Sequence, residues 1–194
     1  VKIMTNQEII AMLKEAGVLL EGHFLLTSGR HSDKYMQCAK IFQDAKYSVP
    51  LCAELVAQYR DENVELVIGP AIGAISMSYE VGKQLGVRNI FAERENGVMT
   101  LRRGFTIEKG ERVLIVEDVV TTGGSVREVM DLVRDCGGEI VGVGSIVDRT
   151  GGKIDFGVPY RSAFSMDITS YEPGDCPICK TGMPLVKPGS RAVK

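Results

Sequence analysis

Apolar residues recur along this chain in two rhythms, and the switches between them mark out its elements. Between Asn6 and Ala16, Ile9, Ile10 and Leu13 return at helical spacing, and Thr5 or Asn6 offers a side-chain oxygen to cap the first turn. The same rhythm predicts helices over Val49 to Tyr59, over Ile75 to Leu85 with Gly86 as terminator, and after Ser125, where Val126, Val129, Met130 and Val133 share one side. Between them lie short apolar runs that read as buried strands: Leu66 to Ile68, Asn89 to Phe91, Val113 to Val116, Ile140 to Ile146 and Ala163 to Asp167. Strand and helix in alternation imply right-handed βαβ units and a mostly parallel sheet flanked by helices, an α/β fold. Residues 18 to 40 read as short extended pieces, and residues 172 to 194, with four prolines, as an irregular tail.

At 194 residues the chain is most simply one domain, large enough to bury about 70% of the surface its unfolded form exposes. A net charge of −2 argues against nucleic-acid or membrane partners. The N-terminus carries acids and lysines rather than a basic segment before an apolar core, and no run of 18 apolar residues occurs, so a cytoplasmic protein is expected. Five cysteines, an odd number, argue against a disulfide framework. Cys176-Pro-Ile-Cys179 has the shape of a metal knuckle but supplies half of a tetrahedral site. Its missing ligands are open to a second subunit, to Cys38 and Cys52, or to His23 and His31. With no second CxxC in the chain, free thiols or a redox-sensitive pair are the favoured reading.

The chemistry concentrates where the run Val113 to Val116 ends. Glu117 and Asp118 come first, followed by Val119, Val120 and then Thr121-Thr-Gly-Gly-Ser125, a small, hydroxyl-rich turn opening a helix. Backbone N–H groups at such a turn face an anion. Gly123 and Gly124 allow close approach, and the hydroxyls of Thr121, Thr122 and Ser125 add donors for phosphate oxygens. Two adjacent carboxylates would repel a lone phosphate, so the pattern calls for ribose hydroxyls or Mg²⁺ as well. A phosphorylated sugar meets all of these needs. The segment has neither the GxxxxGK[ST] pattern nor GxGxxG.

In open α/β sheets ligands sit beyond the carboxyl ends of the strands. Two further loops occupy such positions. Gly69-Pro-Ala-Ile-Gly-Ala74 presents Ala71, Ile72 and Gly73 either as a second anion nest or as a plain tight turn. Glu93 to Gly110 carries Arg94, Arg102 and Arg103 among Gly, Asn and Thr; from the residues alone it reads as a solvated hairpin, of which Met99 to Phe105 forms one arm.

The segment Val-Glu-Asp-Val-Val-Thr-Thr-Gly-Gly-Ser resembles the phosphoribosyl-pyrophosphate (PRPP) motif of type I phosphoribosyltransferases. Gly22-His-Phe-Leu-Leu-Thr-Ser-Gly-Arg-His-Ser32, Gly69-Pro-Ala-Ile-Gly73 and Ser145-Ile-Val-Asp-Arg149 are similar, in the same order, to orotate phosphoribosyltransferases, and the resemblance covers about residues 15 to 168. It departs from the enterobacterial pattern, with Arg94-Glu95 where that loop begins Arg-Lys, Thr27 in place of a lysine, and Ile72-Gly73 in place of Tyr-Lys. These changes resemble a shorter-loop branch.

The resemblance implies a type I phosphoribosyltransferase fold: a hood of about residues 1 to 40 plus part of the C-terminal region, a core of about 45 to 168, and a mobile loop over the site. It implies transfer of ribose 5-phosphate from PRPP to orotate, giving orotidine 5′-monophosphate and pyrophosphate in pyrimidine biosynthesis, with Mg²⁺ as cofactor and a homodimer as the assembly. Glu117 and Asp118 would bind ribose hydroxyls and, through Asp118, help place Mg²⁺. Thr121 to Ser125 would hold the 5′-phosphate, with Val119 and Val120 alongside. Ala71 to Gly73, with Arg94, Arg102 and Arg103, would hold pyrophosphate. Arg149 would pair with the orotate carboxylate, unless it forms an ion pair with Asp148; Thr121, Tyr35 and Met36 would meet the base. His23 and His31 are expected to make local hydrogen bonds in the hood. The alternatives are a transferase for another nucleobase, which lacks a carboxylate for Arg149 to read, and a PRPP-sensing regulator, for which the chain shows no basic face.

Overall fold

The computed structural model describes residues 4–26 and 28–188, so Thr27 and the last six positions of the tail lie outside the described residues. In chain order the elements are α1 (Asn6–Glu15), β1 (Leu19–Leu25), β2 (His31–Met36), α2 (Ala45–Tyr59), β3 (Leu66–Pro70), α3 (Ile75–Leu85), β4 (Arg88–Glu95), β5 (Val98–Thr100), β6 (Arg112–Val120), α4 (Gly124–Asp135), β7 (Glu139–Asp148) and β8 (Tyr160–Ser165). One six-stranded sheet has the order β5-β4-β3-β6-β7-β8, parallel except for the edge strand β5. A separate antiparallel pair, β1 and β2, forms the hood.

Alternation along the central strands assigns the two faces. Val67, Leu114 and Val116 point into a core built with α1, α2 and α3, whereas Leu66, Ile68, Val113 and Ile115 point into a second core against α4. Both faces are therefore dry, which is why these strands read as unbroken apolar runs. Two glycines of β7 let α2 come close: a Cβ on Gly144 would lie 2.8 Å from Leu55 Cδ2, and one on Gly142 would lie 2.7 Å from the Tyr59 ring. Tyr59 then donates its hydroxyl proton to the Val143 carbonyl at 2.5 Å, satisfying a polar tip that is wholly buried.

Helix α3 has the predicted bounds, closed by Gly86 at φ +75°. Helix α1 starts at a capping box in which Thr5 and Glu8 bond reciprocally. Helix α2 begins a turn before the expected Val49, because the Asp44 side chain accepts from the Lys46 N–H at 2.8 Å and the helix runs on through Pro50. Strand β6 extends to Val120 rather than Val116, since pairing with β7 continues through Val119↔Val147 and Val120↔Asp148. Pairing also moves β8 back to Tyr160–Ser165 from the expected 163–167.

The tail has little regular structure, yet it is tied to the hood. Tyr171 exchanges two backbone hydrogen bonds with His31, at 2.8 and 2.9 Å, along the outer edge of β2. Val186 accepts from Leu25 N–H and donates to the His23 carbonyl, both at 2.8 Å, along β1.

The close approach of α2 to β7 is testable. Gly144→Ala should cost about 1–3 kcal/mol by overpacking, and Leu55→Ala about 2–5 kcal/mol through its cavity. Urea unfolding of the double variant should show a loss smaller than the sum of the two, because each substitution relieves the other. Strict additivity would mean that the two groups do not meet.

Candidate active site

Extension of β6 carries Glu117 and Asp118 inside the sheet's edge rather than beyond it, and both carboxyls are largely withdrawn from water. Asp118 is 9% exposed. Its Oδ1 accepts from the Val119 N–H at 2.8 Å, and its own N–H reaches Glu117 Oε1 at 3.3 Å. Burial, and then the negative charge of Asp118, raise the proton affinity of Glu117 well above that of an ordinary carboxyl. Desolvation raises Asp118 too, against the pull of the Val119 N–H.

Immediately after the pair, Gly123 adopts φ +74° and starts α4 with no side-chain cap. A Cβ there would strike Ile154 at 2.5 Å and Phe156 at 2.7 Å, so only glycine fits. The first amides of α4 are thus left facing a concavity of about 160 Å3 lined by Glu117, Val119, Val120 and Thr121 to Val126. An uncapped helix start combined with exposed hydroxyls is an anion site. A larger groove of about 460 Å3 lies elsewhere, among Phe42, Ser78, Tyr79, Phe91 and Phe105, and holds none of the predicted site residues.

The loop after β3 closes on the acid pair from the other side. A Cβ on Gly73 would lie 3.2 Å from Asp118 Oδ2, so the chain passes this carboxylate at contact distance. Ala71 continues the sheet by donating to the Ala92 carbonyl at 2.7 Å, and Ile72, across a cis peptide from Ala71, is 86% exposed. Gly69 is required at the base of this turn, where a side chain would meet Ala74, Ser78 and the Val116 carbonyl within 2.7 Å.

Of the three predicted arginines, only Arg94 is brought to the nest. It forks onto Glu128 of α4 at 2.7 and 3.0 Å, and its guanidinium reaches Ser125 Oγ at 3.5 Å. Hydrogen bonding to Glu128 raises its already high proton affinity. Arg102 and Arg103 instead fold back onto their own hairpin. Arg103 forks onto Glu93 at 2.8 and 3.0 Å, and Arg102 lies 3.5 Å from Glu95. That hairpin is turned by Asn96-Gly97, both at positive φ as a two-residue loop requires.

Arg149 follows the end of β7 and is not an ion-pair partner of Asp148. Asp148 is saturated by Thr150 N–H, Thr150 Oγ1, Gly152 N–H and Ser165 Oγ, at 2.7 to 3.0 Å. Burial opposes ionisation of Asp148, but these donors bring its pKa below the ordinary carboxylate value. Arg149 is left half-buried, and its Nε is the one buried side-chain nitrogen or oxygen without a hydrogen-bond partner among the described residues. Desolvation lowers the pKa of its guanidinium, with Cys38 and Tyr35 close enough to counteract. Tyr35 and Met36 project oppositely from β2: Met36 enters the core, 6% exposed, while Tyr35 packs against Phe24 at a ring distance of 5.8 Å. Cys38, which the sequence left open as a metal ligand with Cys52, does not join Cys176 and Cys179 but lies within electrostatic reach of both the acid pair and Arg149. Its thiol is pushed up by burial and by Asp118 and Glu117, and pulled down by Arg149. Only its place after β2 hinted at this position.

A cationless pocket would hold two carboxyls at high cost, so the donor set fits a hard divalent ion with oxygen ligands. The described geometry thus joins an anion nest, a buried acid pair and a desolvated, unsatisfied guanidinium. Residues 39–167 match the phosphoribosyl transferase domain family. The chain is 57% identical over 190 residues to the orotate phosphoribosyltransferase of Pelotomaculum thermopropionicum, covering 98% of this chain and 100% of that one. The chain belongs to the orotate phosphoribosyltransferase family. The enzyme of that name from Caldanaerobacter subterraneus is 58% identical over 188 residues, 97% of this chain and 99% of its own. Among solved structures, the orotate phosphoribosyltransferase of Aeropyrum pernix superposes with a TM-score of 0.68 at 26% identity, over 81% of this chain and 93% of that one.

The buried acid pair has a consequence for pH. Because the folded protein holds the Glu117 proton more tightly than the unfolded chain, it loses stability as pH rises from the ordinary carboxylate range through the raised folded value. In the absence of ligand, Glu117→Gln should raise the melting temperature, by about 2–4 °C for each ~1 kcal/mol of relieved strain. The gain over wild type should grow from about pH 5 to about pH 8 in scanning fluorimetry. A gain independent of pH would refute the raised proton affinity.

Proposed function

We propose that this chain transfers ribose 5-phosphate from PRPP to N1 of orotate, releasing pyrophosphate, and that the residues just described perform the transfer. The observation that carries this reading is Arg149: a desolvated guanidinium with an unpartnered Nε, beside a sugar-phosphate cradle, requires an anionic partner. Orotate brings a carboxylate, which uracil and the purines lack, and a guanidinium can meet it with two parallel hydrogen bonds.

The nest at Thr121 to Ser125 holds the 5′-phosphate through the first amides of α4 and the surrounding hydroxyls. Glu117 and Asp118 accept hydrogen bonds from the ribose hydroxyls and fix the sugar. Bond breaking at the anomeric carbon develops positive charge on the sugar and negative charge on pyrophosphate, so geometry and electrostatics carry the catalysis rather than a nucleophile. The acid pair faces the cationic sugar, and the loop Ala71 to Gly73 with Arg94 faces the departing pyrophosphate. Arg102 and Arg103 supply further positive charge when their hairpin exchanges its internal carboxylates for the pyrophosphate. Asp118 would hold Mg²⁺, which would supply positive charge against the departing pyrophosphate. Thr121 and Tyr35 flank the base, and Met36 supports the wall behind it. A homodimer and a cytoplasmic location complete the reading.

The test is loss of orotate absorbance with PRPP and Mg²⁺, beside uracil, hypoxanthine and adenine. Consumption of orotate alone supports the reading; consumption of another base keeps the cradle and discards the orotate pocket, and PRPP binding without turnover of any base points to a sensor. Arg149→Ala should raise KM for orotate far more than for PRPP, a loss of about 2–4 kcal/mol from kcat/KM for orotate. Equal effects on the two substrates would remove Arg149 from the base pocket.

A further inference from the structure

We propose that His23, His31, Cys176 and Cys179 form a structural zinc site that clamps the C-terminal tail to the hood, apart from the transferase centre. The four ligand atoms lie within 4.8 Å of one another. His23 Nε2 stands 3.1 Å from His31 Nδ1 and 3.6 Å from each cysteine Sγ, and Cys179 Sγ stands 3.3 Å from His31 Nδ1. Around an ion with Zn–N of about 2.0–2.1 Å and Zn–S of about 2.3 Å, the edges of a tetrahedron run from about 3.3 Å between nitrogens to about 3.6 Å between nitrogen and sulfur. These four separations match such edges to within a few tenths of an ångström, and the remaining two pairs lie within 4.8 Å.

Hydrogen bonding cannot account for the cluster. A ring nitrogen carries one hydrogen or one lone pair, yet His23 Nε2 has three polar neighbours. Its partner atom, Nδ1, lies 2.9 Å from the Met183 carbonyl, which can only accept. Nδ1 therefore holds the ring proton, and Nε2 presents a bare lone pair to the other three groups. A carbonyl that fixes the tautomer of a histidine in this way is the usual support behind a metal-bound imidazole. Three of the four residues are buried: His23 is 3% exposed, His31 6% and Cys176 1%. Cys179 is exposed and leaves a path for the ion to enter.

The fold brings together residues far apart in sequence. His31 lies opposite Leu25 in the hood pair, two positions from His23, and where a register shift between Glu21 and Phe24 interrupts the alternation of β1 the two imidazoles meet on one face, edge to face with centroids 4.9 Å apart. Tyr171 and Val186, hydrogen-bonded to the two outer edges of that pair, bracket the Cys176–Cys179 loop and hold it over the same face. Two thiolates and two imidazoles in a tetrahedron suit zinc and exclude Mg²⁺ or Ca²⁺. All four positions are taken by protein, so no place remains for a substrate, and the ion is structural. Each cysteine binds as the thiolate, its proton released to solvent when the ion enters.

The full chain, expressed with zinc and purified without chelator, should contain one zinc per chain by mass spectrometry of the intact folded protein and by elemental analysis. Titration of its thiols with an organomercurial should release the ion. Cobalt loaded in place of zinc should show the thiolate charge-transfer and strong visible bands of a tetrahedral S2N2 site. Cys176→Ser and His23→Ala should each abolish these signals. Zinc removal should lower the melting temperature and speed tryptic cleavage at Lys180. Two outcomes would overturn the proposal: wild-type folded protein that is zinc-free with reduced thiols and takes up no cobalt, or a Cys176–Cys179 disulfide as the resting state. Both readings use wild-type protein, so a variant that fails to fold leaves the test intact.

Discussion

Two adjacent carboxyls, Glu117 and Asp118, sit where water is largely excluded, and much of the surrounding structure serves to keep them there. The continued pairing of β6 with β7 holds their backbone rigid to the last residue of the strand. Gly73 brings the neighbouring loop within contact distance of Asp118 because any side chain there would press on the carboxylate. The uncapped start of α4 and the fork of Arg94 on Glu128 place positive potential on the same rim. Unliganded, such a pair is strained toward protonation. A bound cation or hydrogen-bond donors would relieve that strain.

Arg149 is the opposite case on the far side of Cys38. A guanidinium with a buried, unpartnered nitrogen persists only where the surroundings hold it open for an incoming anion. Asp148 would neutralise it if free to do so, but Thr150, Gly152 and Ser165 occupy that carboxylate completely. The adjacent loop thus prevents an internal ion pair. It keeps a positive charge free just past the end of β7, next to the strand that carries the acid pair.

The hood is a separate two-stranded unit, and an isolated pair of that kind is marginal in water. Its strength comes from elsewhere: Met36 and Leu19 reach into the main core, and the tail adds backbone hydrogen bonds along both outer edges. The His23, His31, Cys176 and Cys179 cluster closes the same arrangement with ligands instead of apolar area. Closing a long loop this way costs the unfolded chain more entropy than the folded one.

Local order was legible from the chain itself. Helical spacing located α1, α3 and α4, apolar runs located β3, β4, β6 and β7, and Gly86 and Gly123 stand where backbone geometry admits little else. The acid pair followed by a hydroxyl-rich turn pointed to the concavity at the start of α4, because such a turn is built from consecutive residues. What the tertiary structure alone decided was every partnership between distant segments. Strand pairing carried β6 past Val116; Glu93 and Glu95 drew Arg103 and Arg102 back onto their hairpin; the loop at Thr150 kept Asp148 from Arg149. The two histidines were one of several open ligand sources for the two cysteines, because His23 and its two sulfurs are 153 and 156 positions apart and spacing cannot choose among such distant partners. Periodicity reports whether a residue is buried, since burial follows from neighbours along the same element. Which residue it meets depends on how the elements pack, and that is settled only when the whole chain closes on itself.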